Sequence, residues 1–417
     1  MNNNMLGRDI AIWLLIAFLM QTGCESKKVL QETFDTDPRS RGWMFTDWDL
    51  EVHNKGGWSA RFGRIGGGLT IPDQAGVLFW RSAKLEISPL TYFKIEFYAK
   101  GRGKPFVAGV SLNSEALYGR YPHKNQTRHG LLVADDWTAF KPSDNWVKRT
   151  YVTRSRVNAA FCAVRLQGTD VHFDDVTVTK VQREEVLRWA DNIYRKGMPA
   201  LSYAPPKNVI KSLPRTAQRL QSGKTTRIVM LGDSIMNDIA NSTVDVLLER
   251  EYPGTNVKII AAVGGGTGVD KWNDDSAYNW PDHDLDLQKG VIAQRPDLVI
   301  VGGVSNGENY SDFYELVDKI VVGVEKGFGY TPDIMLMTGA LGKTTDPPGY
   351  SAKLKAVAEE KDTAFLDIRK ITEQYLQKVD AKGYSRNYFY RDDIHANHYG
   401  KQLLGRVLTK CLSQSRQ

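Results

Sequence analysis

The apolar positions of this 417-residue chain change rhythm part-way along. From residue 30 to residue 181 they come as short alternating runs, separated by turns rich in Gly, Pro, Asn and Asp. Tyr92-Phe93-Lys94-Ile95-Glu96-Phe97-Tyr98 has the period of two that a strand needs when one face meets the core and the other meets water. Segments 77–80, 92–99, 107–112, 149–153, 161–166 and 171–178 read the same way. Short, regularly spaced strands with such turns predict an all-β sandwich over 30–181.

Residues 182–222 read as a connector. Val186, Leu187, Ala190 and Ile193 predict a short amphipathic helix over 184–194, and Pro199, Pro205, Pro206 and Pro214 then interrupt the pattern. Beyond it, over 223–415, strand and helix patterns alternate. Apolar strands are expected at 228–231, 257–263, 298–301, 334–337 and 364–368, with helices at 242–251, 314–325, 351–360 and 399–412. Alternation of this kind predicts a parallel, doubly wound sheet. Ligands of such sheets sit beyond the carboxyl ends of the strands. Ser234, Gly265 and Asn306 each follow an expected strand and so fall on that one edge.

With 41% hydrophobic and 25% charged residues, the composition is that of an ordinary globular protein rather than a disordered or fibrous one. The apolar run 10–20 follows Arg8 and ends at Thr22-Gly23-Cys24. It is short for a bilayer span but suits the core of a signal peptide over 1–23. Small residues before a Cys resemble the bacterial lipoprotein site, which implies an envelope protein lipidated at Cys24; plain secretion is the alternative. Cys24, Cys162 and Cys411 are too few and too scattered for a disulfide framework, and no Cys/His cluster has zinc spacing.

The formal charge is +7. Residues 24–180 hold about 23 Lys and Arg against about 17 Asp and Glu, while the rest of the chain is nearly balanced. The surplus is either diffuse solvation or a preference for anionic ligands. Nucleic acid is not expected, because no reading motif accompanies the charge.

The same half carries Trp43, Trp48, Trp58, Trp80, Trp137 and Trp146. Glu32-Thr33-Phe34-Asp35 and Phe173-Asp174-Asp175-Val176-Thr177-Val178 resemble the first and last strands of jelly-roll carbohydrate-binding modules. Such modules stack sugar rings on aromatic faces, whereas a sandwich core also consumes tryptophans. Trp43, Trp48 and Trp58, in polar and Gly-rich surroundings, are the candidates for a glycan platform.

Two distant segments carry the candidate chemistry. Ile228-Val229-Met230-Leu231-Gly232-Asp233-Ser234 places a Ser after a buried strand, and Tyr390-Arg391-Asp392-Asp393-Ile394-His395 places an Asp three residues before a His. A Ser nucleophile needs a base, and the base needs a carboxylate to hold its tautomer. Gly-Asp-Ser between strand and helix, with the late Asp-x-x-His followed by Asn397 and Gly400, resembles the SGNH (GDSL-type) hydrolase family over residues 224–413. The resemblance implies a three-layer, flavodoxin-like α/β fold with a five-stranded parallel sheet. It implies Ser234 as nucleophile, His395 as base and Asp392 as the orienting acid, with Asp393 as a rival and His398 as a supporting or surface group.

The family's oxyanion donors map onto the Ser234 amide, onto Gly265 in Ala262-Val263-Gly264-Gly265-Gly266-Thr267-Gly268, and onto Asn306 in Gly302-Gly303-Val304-Ser305-Asn306-Gly307. Gly264 and Gly266 stay open as alternatives to Gly265, and Asn306 comes one residue later than in the family pattern. The Gly-rich loop lacks the Lys-Ser/Thr ending of a phosphate loop. The expected function is an exported serine esterase acting on O-acetyl groups of a polysaccharide, with an anionic one suited to the basic first half, without metal or cofactor. A glycan O-acyltransferase with the same triad, or a non-catalytic surface glycan binder, are the alternatives.

Overall fold

A computed structural model describes residues 27–46, 57–73, 78–102, 108–116, 134–157, 159–199, 209–273, 287–303, 311–339, 349–381, 383, 388–392 and 394–413. Cys24, Trp48, Asn306 and Asp393 lie outside the described residues. Two domains are present.

The first is a sandwich of antiparallel strands, β1 (Lys28–Glu32), β2 (Met44–Thr46), β3 (Trp58–Ser59), β4 (Gly68–Ile71), β5 (Phe79–Arg81), β6 (Leu85–Glu86), β7 (Tyr92–Gly101), β8 (Ala108–Ala116), β9 (Ala134–Phe140), β10 (Ser143–Arg154), β11 (Ala159–Gln167) and β12 (Val171–Lys180). One sheet runs β10-β7-β12-β4-β3 with β1 on β12, and the other runs β2-β5-β11-β8-β9 with β6 on β11. Phe93, Ile95 and Phe97 of β7 point inward with Phe173, Val176 and Val178 of β12, against Trp80, Val164 and Leu166 of the facing sheet. The alternation legible in β7 is this half-buried geometry. The first and last strands pair with each other, Leu30 opposite Val178 and Glu32 opposite Val176. Strand β9 was not foreseen. Its sequence, Ala-Asp-Asp-Trp-Thr-Ala-Phe, opens on two carboxylates and reads as a turn, yet it pairs with β8 along its length.

The chain leaves the sandwich through α1 (Arg183–Asn192) and α2 (Pro214–Gln221). The second domain then runs β13 (Thr225–Gly232), α3 (Ser234–Ala240), α4 (Val244–Glu251), β14 (Asn256–Val263), α5 (Val269–Trp272), β15 (Leu298–Gly303), α6 (Asp312–Phe328), β16 (Asp333–Thr338), α7 (Tyr350–Glu360), β17 (Ala364–Leu366), α8 (Ile368–Ala381) and α9 (His398–Leu412). The sheet order is β14-β13-β15-β16-β17, all parallel, the doubly wound order in which the first strand lies inside and the second at the edge. Apolar clusters cover both faces, one gathered round α3, α8 and α9 and the other round α6 and α7. Helix α8 was also not foreseen as a separate element. No helix among the described residues is long and apolar enough to cross a membrane.

Edge strand β14 faces the sandwich and the helices beside it, and its open backbone groups are partly taken up there. Val257 N–H donates to Glu249 Oε1 at 2.8 Å, Arg183 donates to the Val257 carbonyl at 3.4 Å, and Arg156 to the Ala261 carbonyl at 3.5 Å. Covering the edge in this way blunts its capacity to recruit another strand. Beside it, Asp245 of α4 is 1% exposed and receives Tyr92 Oη at 2.5 Å from β7, Arg154 at 2.6 Å from β10 and Arg183 at 2.9 Å from α1. Burial raises the Asp245 carboxyl, but the two guanidinium charges outweigh it and hold it below the usual range. Arg154 also donates to the Ala240 carbonyl at the end of α3. Removing one partner of a buried ion pair strands the other charge. Arg154→Met leaves Asp245 to Arg183 and Tyr92 and is expected to lower the unfolding free energy by about 2–3 kcal/mol, read from the midpoint of chemical denaturation.

Candidate active site

Strand β13 delivers Ser234 to the carboxyl edge of the parallel sheet. Ile228, Val229, Met230 and Leu231 are buried between the two apolar layers, which fixes the strand centrally. Gly232 follows because nothing larger fits: a Cβ there would lie 2.0 Å from the Gly302 carbonyl oxygen and 2.8 Å from the Met236 side chain. Asp233 caps α3, its Oδ1 accepting the N–H of Ile235 at 2.9 Å and of Met236 at 3.3 Å. Gly303, at φ +125°, lies against that carboxylate, and its missing Cβ would stand 2.3 Å from Asp233 Oδ1. Two close approaches thus set the turn on which Ser234 begins its helix.

The other two groups arrive on a hairpin between residues 389 and 397. Tyr390 bridges Ala396, Arg391 N–H donates to the His395 carbonyl, and Asn397 N–H donates to the Phe389 carbonyl. The Asn397 side chain locks both ends. Its Oδ1 caps α9 through the N–H groups of Tyr399 and Gly400, and its Nδ2 donates to the carbonyls of Tyr388 and Tyr390. The hairpin places His395 Nε2 2.9 Å from Ser234 Oγ, and His395 Nδ1 2.8 Å from Asp392 Oδ2. Asp392 Oδ1 accepts the N–H of Ile394 and of His395 at 2.9 and 2.7 Å. Burial pushes the Asp392 carboxyl up, but the His395 hydrogen bond and charge and the two amides outweigh it and bring it down to about 2. An ionised Asp392 therefore faces Nδ1, which leaves Nε2 to accept from the Ser hydroxyl.

The loop after β14 turns back at once. Gly264 N–H donates to the Gly232 carbonyl at 2.9 Å, while the Gly264 carbonyl accepts Thr267 through both its N–H and its hydroxyl. Trp272 Nε1 holds that hydroxyl at 2.8 Å. Neither the Gly265 amide nor the Ser234 amide has a hydrogen-bond partner among the described residues.

Other expected residues fall elsewhere. His398 is buried, not at the surface: it is 7% exposed, with Nδ1 3.0 Å from Thr138 Oγ1 of the sandwich, and burial together with Lys401 and Arg149 brings its imidazole down to about 3. Trp43 is a correction to the glycan platform: it is 2% exposed and packs edge-on to Phe34 at 5.2 Å, so it offers no ring face to a ligand. Trp58 is half-buried and ties its indole N–H to the Phe34 carbonyl at 2.8 Å. Aromatic groups with an outward aspect lie instead across β7, β10 and β12. Trp146 and Phe62 flank His172 at 6.5 and 5.5 Å, and Arg64 stacks over Tyr98 at 4.3 Å. In β7 and β12 the inward alternation of Phe97 and Phe173 was the available signal, since it sends Tyr98 and His172 outward.

No family model and no curated relative matches this chain. Solved structures of similar fold include a two-domain esterase active on acetylated mannans, crystallised with mannopentaose, at 19% identity and TM-score 0.38 over 49% of this chain and 53% of that one. The acetyl xylan esterase AlAXEase follows at 18% identity and TM-score 0.35, over 45% and 99%. The CBM22-1 xylan-binding domain from Paenibacillus barcinonensis Xyn10C matches at 15% identity and TM-score 0.25, over 38% and 96%. The chain spans about half the length of the first of these. At such low identity, its chemistry rests on its own side chains.

The Asp392 carboxyl gives a pH test. Its folded value of about 2 lies below the ordinary value of about 3.9, so its stabilising effect is complete above the latter and is lost as pH falls through the former. The stability difference between the wild type and Asp392→Asn is expected to be full at about pH 5 and to shrink as pH falls toward about 2, read by chemical denaturation at stepped pH.

Proposed function

We propose that this protein is an exported serine esterase of the SGNH type that removes O-acetyl groups from polysaccharide. The hydrogen-bonded line Asp392–His395–Ser234 carries the reading, since it joins an acceptor carboxylate, an imidazole and a hydroxyl at 2.8 and 2.9 Å on the edge where ligands of doubly wound sheets bind.

Ser234 Oγ attacks the acetyl carbonyl carbon while His395 Nε2 takes its proton, and Asp392 holds Nδ1–H and balances the imidazolium. The carbonyl oxygen becomes an oxyanion that accepts from the Ser234 and Gly265 amides, with Asn306 as a side-chain donor by the family pattern. Gly265 is preferred to Gly264 because the Gly264 amide is spent on the Gly232 carbonyl. Collapse of the intermediate expels the sugar alkoxide, which leaves with the His395 proton. Water, deprotonated by His395, then attacks the acetyl-enzyme and releases acetate. No step calls on a metal ion.

The sandwich beside the site supports a glycan substrate. Its outward aromatic groups, Trp146, His172 and Phe62, suit the faces of sugar rings, and Lys100 stands opposite His172 on the neighbouring strand. Anchoring at a lipidated Cys24 would hold the enzyme at the cell envelope.

Acetate release from a panel of acetylated polysaccharides tests the reading. Ser234→Ala is expected to cut release by about 10⁴-fold or more while glycan retention on an affinity gel persists. Acetyl transfer to an added glycan without release of acetate would replace hydrolysis by acyl transfer. Retention without any ester cleavage by the wild type would leave a binding protein only.

A further inference from the structure

The hairpin that bears Asp392 and His395 is not held by its own domain alone. Asp238, one helical turn beyond Ser234 on α3, receives Arg391 Nη1 at 2.5 Å on Oδ1 and the Ala396 N–H at 2.8 Å on Oδ2. Arg391 Nη1 also donates to the Ala396 carbonyl at 2.6 Å. Asp238 and Arg391 thereby clamp both backbone groups of the residue next to His395. Asp238 is not theirs exclusively: Lys401 of α9 brings its Nζ to 3.8 Å from Asp238 Oδ1. What keeps that ammonium off Asp238 comes from the sandwich. Lys401 Nζ donates to Asp136 Oδ1, to the Trp137 carbonyl at 2.8 Å and to Tyr151 Oη at 3.0 Å. Asp136 in turn receives Tyr151 at 2.5 Å and Thr153 at 2.7 Å on its other oxygen.

All four charged groups are nearly without water. Asp136 is 1% exposed, Asp238 1%, Lys401 2% and Arg391 3%. Two carboxylates and two cations leave the node neutral, with each cation served by its own acid. The Trp137 ring lies 4.3 Å from the Arg391 guanidinium and covers it from the sandwich side, and Thr138 accepts the His398 N–H at 3.0 Å at the start of α9. Three successive residues of β9 therefore press on the hairpin and the helix that follows it.

We propose that Asp136, on sandwich strand β9, is a positioning residue for His395: by holding Lys401 it leaves Asp238 to Arg391 and to the Ala396 amide, and so keeps the imidazole in register with Ser234. The inference rests on the Ser234–His395 reading above for its kinetic consequence, but not for its structural one. If the Asp136 charge is removed, Lys401 keeps its proton only by turning to Asp238, its next carboxylate. Asp238 then serves two cations, and the clamp on Ala396 slackens. A small displacement of a base costs far more rate than binding, because proton transfer depends steeply on distance.

The test compares Asp136→Asn with the double variant Asp136→Asn/Lys401→Met in the full-length chain. The single variant is expected to lower kcat on a small acetyl ester, and the rate of Ser234 labelling by a fluorophosphonate, by about 10- to 10²-fold with KM unchanged within about twofold. The double variant removes the displaced cation along with its acid and is expected to recover most of that loss. A purely structural node predicts the reverse, since deleting a second buried contact adds damage. Resonances of the His395 ring nitrogens, followed by NMR with ¹⁵N-histidine, give a readout that needs no substrate: they should shift in the single variant and return in the double. Rates and resonances of Asp136→Asn equal to the wild type, or a double variant slower than the single, overturn the proposal. A wild type that neither hydrolyses esters nor takes the label sinks the esterase reading instead, and the His395 resonances still decide the positioning role. Should Asp136→Asn fail to fold, Tyr151→Phe removes one donor to Asp136 and one acceptor of Lys401 without changing charge, loosening the same hold. A fall in kcat of about threefold with KM unchanged then supports the proposal, and an unaltered kcat refutes it.

Discussion

A carboxylate cut off from water must be met by cations and donors, because an unpaired buried charge costs several kcal/mol. Three such carboxylates lie where the sandwich joins the α/β domain or just behind that joint. Asp245 is met by Arg154, Arg183 and Tyr92, Asp136 by Lys401, Tyr151 and Thr153, and Asp238 by Arg391 with Lys401 nearby. In the first two the acid and a cation come from different domains. Any other docking that dried these surfaces would bury the charges without their partners. That requirement fixes how the two domains sit, and the hairpin bearing His395 is fixed with them.

Within that frame, backbone packing rather than side-chain chemistry aims Ser234. Gly232 passes against the Gly302 carbonyl, and Gly303 lies against the Asp233 carboxylate, where any Cβ would collide. Tyr350 of α7 donates to the Gly303 carbonyl at 3.2 Å and steadies that contact from the far side. The strand ends of β13 and β15 are consequently locked together at the point where Ser234 emerges. Among the described residues the amides of Ser234 and Gly265 have no partner, while that of Gly264 is taken by the Gly232 carbonyl.

Much of this was legible along the chain. The change from period-two runs to alternating strands and helices marked two domains of different class, and the five parallel strands fall on the five apolar runs expected for them. The pair of motifs around Ser234 and His395 named three side chains that form one hydrogen-bonded line, Ser234 to His395 to Asp392. Local pattern failed where a segment's character is set from outside. Strand β9 opens on Asp135 and Asp136 and looks like a turn until β8 and Lys401 are beside it. Trp43 stands among polar and Gly neighbours yet is buried, because Phe34 and the opposite sheet close over it. Asp238 gave one unused clue, its spacing of four from Ser234, which places both on neighbouring turns of one helix.

The sequence alone determined what each segment can be: a half-buried strand, a buried strand, a helix start, an acid three residues from a base. Those properties depend on neighbours within a few positions, so the order of residues suffices to state them. Tertiary structure alone decided which distant charges share a buried site, as Lys401 does with Asp136 across 265 positions. Periodicity carries no information over that distance. Only the docking of the sandwich on the α/β domain removes the water, and only without water does the choice of partner become compulsory.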